Sequence, residues 1–173
     1  MSKDMVLTVI ARDRPGLIKA LSEVVVGHGG NWIDSSMARL GGEFAGIVRV
    51  SVPEERSREF ETALADLSGA GITVTLRRSD EDGSVRAGRL VRLELTGVDH
   101  PGIVHRISDA LSTLGISIDQ LETRIFTGSM SGEPMFEAKA EIHLPEGVEE
   151  AKLRSRLEAL ERDLMVDIEL DGV

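Results

Sequence analysis

Two stretches of the chain, ARDRPGLIKAL at 11–21 and GVDHPGIVHRI at 97–107, say nearly the same thing. At one offset of 86, five identities recur: Asp13/Asp99, Pro15/Pro101, Gly16/Gly102, Ser22/Ser108 and Gly29/Gly115. Apolar positions agree between them: Val9/Leu95, Leu17/Ile103, Leu21/Ile107 and Val25/Leu111. Further on the offset becomes 92, pairing Phe44 with Phe136, Val50 with Ile142, Val52 with Leu144 and Pro53 with Pro145. The second copy therefore carries six more residues, which the reading places in the loop TGSMSGEP. An ordered set of this kind is the mark of an internal duplication, and it constrains the fold more than any single motif.

Each copy reads as the same series of elements. MVLTVIA and RLVRLELTG are rich in β-branched and aliphatic residues and read as strands. After the Asp-x-Pro-Gly step, Leu17, Leu21, Val24 and Val25 recur at helical spacing, as do Ile103, Ile107, Ala110, Leu111 and Leu114. Gly29 and Gly115 stand where a left-handed residue would end each helix. A strand pair follows, turning at LGGEF in the first copy and at the longer Gly/Ser/Pro stretch in the second. The return strands GIVRVSVP and AKAEIHLP end at Pro53 and Pro145. A second helix buries Phe60, Ala63, Leu64 and Leu67 in one copy and Leu153, Leu157, Leu160 and Leu164 in the other. ITVTL and MVDIEL close the units as strands. The expected fold is α+β, two tandem ferredoxin-like βαββαβ units. Domain one is placed at 1–78, a polar linker at 79–88 and domain two at 89–173.

Composition then removes function classes. There is no cysteine, so disulfides, thiolate metal sites and a cysteine nucleophile are excluded. The formal net charge is -10 and aromatics make up 3%. That combination suits neither a phosphate-neutralising surface nor a base-stacking platform, so no direct nucleic-acid binding is expected. Arg77, Arg78, Arg86 and Arg89 read as a solvated linker cluster. The N-terminal apolar run Met5–Ile10 is short for a signal peptide or a membrane span, and a cytoplasmic protein without membrane association is expected. His28, His100, His105 and His143 lack the spacing of a metal site, and no metal is expected. GGEFAG and GSMSG lack the lysine of a phosphate loop and read as hairpin turns. Trp32 reads as a core or interface residue.

The repeated Asp-x-Pro-Gly step has two readings. Asp13 or Asp99 caps the helix while the proline opens it. Alternatively, Gly16 or Gly102 lets a carboxylate approach a helix N-terminus that carries free donors and partial positive charge. Both readings stay open on the residues alone.

A first strand ending in DRPGL and a first helix followed by GGNWID resemble an ACT domain, and DHPGI with GISID repeat the resemblance in the second copy. More narrowly, HGGNWIDSSMARLGGEFAGIVRVSVP, GEPMFEAKAEIHLP and LERDLMVDIEL resemble the glycine cleavage system transcriptional repressor family. The resemblance implies a non-enzymatic regulatory protein, without cofactor, that binds a small glycine- or serine-like amino acid at interfaces between units. It implies a homodimer, and transcriptional control exerted through a partner regulator. Carried over by position, the ligand contacts are Asp13, Arg14, Pro15, Gly16, Leu17 and Asn31 in the first unit. In the second they are Asp99, His100, Pro101, Gly102, Ile103 and Ser117, where Ser117 replaces the amide. Some amino-acid-binding members carry a histidine two residues before the aspartate; Ala11 and Gly97 stand there. A similar Asp-Arg-Pro-Gly unit begins formyltetrahydrofolate deformylases and ends uridylyltransferases, whose catalytic domains are not found in this sequence. The other reading is a ligand-independent interaction module.

Overall fold

The structure, a computed structural model, describes residues 1–79 and 86–172. The chain divides into two units, Met1–Gly83 and Ser84–Val173. The expected linker, 79–88, lies mostly outside the described residues; its last residue, Gly88, already begins a strand.

Unit one runs β1 (Ser2–Arg12), α1 (Leu17–Gly27), β2 (Asn31–Leu40), β3 (Glu43–Pro53), α2 (Ser57–Asp66) and β4 (Ile72–Arg78). A 3₁₀ turn lies on each side of α2, at Glu54–Arg56 and Leu67–Ala70. Unit two runs β5 (Gly88–Val98), α3 (Ile103–Thr113), β6 (Ser117–Thr127), β7 (Pro134–Pro145), α4 (Glu150–Leu164) and β8 (Val166–Gly172). The sheets have the orders β2-β3-β1-β4 and β6-β7-β5-β8, antiparallel throughout. The tandem βαββαβ expectation holds, element by element.

The two sequence offsets are one register. Ala11 pairs with Phe44 and Gly97 with Phe136, so offsets of 86 on β1 and 92 on β3 land on equivalent partners. The inserted residues, 128–133, lie between β6 and β7, where unit one turns through Gly41 and Gly42. The last strands sit at a third offset: Ala11 pairs with Ile72 and Gly97 with Val166.

Alternation along the strands sends one row inward. Met5, Leu7, Val9 and Ala11 meet Leu17, Leu21 and Val25 of α1 and Phe60 and Leu64 of α2 in one buried cluster. Val91, Leu93 and Leu95 meet Ile103, Ile107 and Leu111 of α3 and four leucines of α4 in another. No polar or charged residue is buried among the described residues. Helices α1 and α3 end as the glycines foretold. Gly29 has φ 69°, and its N–H reaches the Val26 carbonyl while that of Gly30 reaches Val25. Gly115, φ 72°, and Ile116 repeat both bonds onto Ser112 and Leu111. These are the paired bonds of a Schellman cap, which satisfy carbonyls that the helix leaves free.

Candidate functional site

The candidate site is the lip between the first strand and first helix of each unit. Pro15 precedes Gly16, whose φ 88° and ψ 6° are those a type II turn demands after its proline. Gly102, φ 95° and ψ 0°, repeats it. Only glycine takes these angles without strain. Each glycine is the N-cap, and its carbonyl accepts the first helical bond, from Ala20 at 2.9 Å and from Arg106 at 3.0 Å. Neither helix has a side-chain cap, so its first-turn N–H groups carry no side-chain acceptor.

This corrects the capping reading. Asp13 accepts a hydrogen bond from Arg39 on β2 at 3.2 Å instead of capping α1, and the proline lies before the N-cap rather than inside the helix. The backbone N–H of Asp13 donates to the Gly42 carbonyl, and that of Asp99 to the Pro134 carbonyl, extending the sheet by one bond. The aspartate thus ties the lip to the β2–β3 or β6–β7 turn. A Cβ placed on Gly16 or Gly102 would meet nothing within 4 Å, so the backbone is open to approach. Ile18 and Val104, equivalent residues of the first turn, stay 51% and 42% exposed beside it. Leu17 and Ile103 point inward and are buried.

The second lip residue is engaged elsewhere. The Arg14 guanidinium donates to the Ala70 carbonyl, just before β4. His100 Nε2 lies 3.0 Å from the Leu164 carbonyl, just before β8. The two acceptors are each followed by a residue in left-handed conformation, Gly71 and Met165. Sequence reasoning missed these partners because the closing strands follow a different offset from the lips. The signal was present: ITVTL and MVDIEL align only when the third offset is used.

Within one unit the lip and the start of the second strand lie far apart. Asn31 pairs with Ser51, whereas Arg12 beside the lip pairs with Glu43, eight residues away along β3. At about 3.4 Å per residue that is roughly 27 Å. In unit two Ser117 pairs with His143 and Val98 with Met135, the same separation. Ser117 is also engaged: Arg86 lies 3.3 Å from its hydroxyl and 3.2 Å from Asp119.

The position two residues before the aspartate is packed. Ala11 is 5% exposed, and a Cβ on Gly97 would fall 2.6 Å from Val166 Cγ1. Trp32 is half-buried against the core of unit one and donates to Ser35 at 3.1 Å. The His28 ring meets Phe60 edge-on at 5.8 Å, His143 lies 3.0 Å from the Ala87 carbonyl, and His105 is exposed.

The perturbed acids stand away from the lips. The Lys3 hydrogen bond lowers Glu54. The hydrogen bond between Arg124 and Glu137, 2.5 Å long, lowers the acid and raises the base. Hydrogen bonds from Arg89 and then Arg154 lower Glu150.

Fold and lip define a tandem pair of βαββαβ regulatory units. An ACT-domain family profile matches residues 3–75, the first unit, and the second unit repeats that topology. ACT domains are non-catalytic units that bind small amino-acid effectors. An unknown protein from Galdieria sulphuraria superposes with TM-score 0.88 at 26% identity, covering 100% of this chain and 99% of that one. A protein assigned as a glycine cleavage system transcriptional repressor superposes with TM-score 0.74 at 21% identity, covering 100% and 98%. A search of curated protein sequences gives no match. No helix among the described residues is long and apolar enough to cross a membrane.

Proposed function

We propose that the protein is a cytoplasmic, homodimeric amino-acid sensor that regulates glycine cleavage or related amino-acid metabolism by acting on a partner regulator. The observation that carries this is the lip built twice. In both units an uncapped helix start lies behind a left-handed glycine with open space before it. Backbone donors of that kind suit a carboxylate, and Asn31 or Ser117 would supply an oxygen for the ammonium group. Because lip and second-strand start lie at opposite ends of one sheet, no small amino acid touches both within one unit. The formal net charge of -10 favours control through a protein over direct contact with DNA. The likeness in fold to the assigned repressor supports the metabolic setting.

The test is isothermal titration with glycine, serine and a panel of other amino acids, repeated on Asn31→Ala. Heat with a small amino acid, weakened in the variant, is expected. No heat across the panel would sink the sensor reading.

The second reading, a ligand-independent interaction module, draws on the occupied lip side chains: Asp13 on Arg39, Arg14 on Ala70 and His100 on Leu164. It gains if partner binding is insensitive to every metabolite.

A further inference from the structure

The two units are copies, so each serves as a control for the other, and their open sheet faces differ. At the centre of the second sheet, on the face away from the helices, Glu122, Lys139, Glu94 and Glu169 form one cross-strand row. The equivalent row of the first sheet is Ser36, Ile47, Thr8 and Thr75. All four are exposed, and Ile47 is 56% so. The next row is Ala38, Ala45, Ile10 and Thr73, again without a charge, and Ile10 is 48% exposed. An antiparallel sheet that faces water alternates apolar and polar residues, as β5 and β7 do. The first sheet instead presents a neutral, partly apolar platform. Four strands at about 4.8 Å spacing and about seven residues of shared length make it roughly 19 by 23 Å, the footprint of a modest protein interface rather than of a small-molecule site.

We infer that this face is covered by the same face of a second copy, related by a two-fold axis running parallel to the strands between the sheets. The inference rests on the homodimer reading above and names its surface. The register supplies the argument. Such an axis lays β2 over the partner's β4, and β3 over the partner's β1. Ile47 then meets the partner's Thr8, and Ala45 meets the partner's Ile10, small against large. The charges at the two ends of the platform also match. Asp34, Arg49, Val6 and Arg77 form one flanking row, so Asp34 faces the partner's Arg77. Leu40, Glu43 and Arg12 form the other, so Glu43 faces the partner's Arg12. A contact using one patch twice must complement itself in this way, and sheets packed face to face keep their strands within about 30° of each other. The second unit's face is poorer under the same operation: Lys139 would face the partner's Glu94, but Glu122 would face the partner's Glu169, with three acids to one base at the centre. Two chains of charge -10 repel at long range, so a neutral face with matched ends is where they can meet.

The experiment uses the full chain in sedimentation equilibrium. The wild type is expected at twice the 18.7 kDa chain mass. The double variant Ser36→Glu, Thr75→Glu, which sets the second unit's two outer acids against each other across the axis, is expected at the monomer mass with unchanged circular dichroism. The reciprocal variant Glu122→Ser, Glu169→Thr is expected to remain a dimer. Because the chain has no cysteine, Ile47→Cys gives one thiol per chain, and a short bis-maleimide is expected to link two copies through it. A wild-type monomer would overturn the inference and the homodimer together. A charged variant that stays dimeric, with Ile47→Cys left uncrosslinked, would overturn the surface alone. Either result leaves the amino-acid titration to be read separately.

Discussion

Arg14 and His100 occupy the same step of the duplicated unit and reach the same place by different chemistry. The guanidinium donates to the Ala70 carbonyl, and the imidazole lies against that of Leu164. Each side chain spans from the lip to the junction between second helix and last strand.

Removing either link should loosen that junction. His100→Ala and Arg14→Ala are each expected to lose about 1 kcal/mol in urea unfolding, the net worth of one hydrogen bond. The imidazole has carbonyl oxygens near both ring nitrogens, Pro101 at 3.2 Å and Leu164 at 3.0 Å, and a neutral ring donates from only one. His100→Arg, which copies unit one, is therefore expected to recover the stability that His100→Ala loses. Equal loss in both variants would show the link to be idle.

Glycines within and beside one helix should respond with opposite signs. Gly16 sits at φ 88° with open space where a Cβ would go, so Gly16→Ala meets only backbone strain, about 1–2 kcal/mol. Gly27, at the end of α1, also has open space but no positive φ. Gly27→Ala is expected to stabilise by roughly 0.5 kcal/mol. Gly97→Ala is limited by contact instead: its Cβ would strike Val166, and overpacking of about 1–3 kcal/mol is expected. Thermal melts of the three variants check the ordering.

Acid should release Glu150. Its carboxylate is held below the ordinary range by hydrogen bonds from Arg89 and then Arg154. A group whose folded pKa is depressed contributes fully above its unfolded value, and that contribution is lost as pH falls through the folded one. Stability from this contact should thus be present at neutral pH and fade below about 4, the unfolded carboxylate range. Glu150→Gln should flatten the acid limb of a stability profile, and a limb of unchanged slope would rule the contact out.

Much of this fold could be read from the residues. The offsets of 86 and 92 anticipate the pairings Ala11–Phe44 and Gly97–Phe136 because antiparallel register is set by which residues alternate inward. Leu17, Leu21 and Val25 fell where helical spacing put them. The lip was found as a place but not as a set of contacts. Asp13 has an acceptor's choice between helix N–H groups and Arg39, and only the path of β2 brings Arg39 near. Asn31 follows Gly16 closely in sequence, yet a whole helix descends between them, so the chain returns at the other end of the sheet. The neutral row of unit one was visible in principle: Val6, Thr8 and Ile10 stand where the second copy has Arg92, Glu94 and Thr96. Its meaning needs β3 and β4 alongside, which no single strand supplies.

The six residues at 128–133 make the second β-turn longer than the first, and Met130 at its tip is fully exposed. The flanking strands keep their pairing across it, from Thr127 with Pro134 onward. One hydrogen bond, from Asp99 to Pro134, connects that turn to the lip of unit two. A fluorophore carried there on an introduced thiol would sit on a segment already shown to accept length, one bond from the motif. It offers a way to watch one lip respond while its twin, closed by two glycines, stays unlabelled.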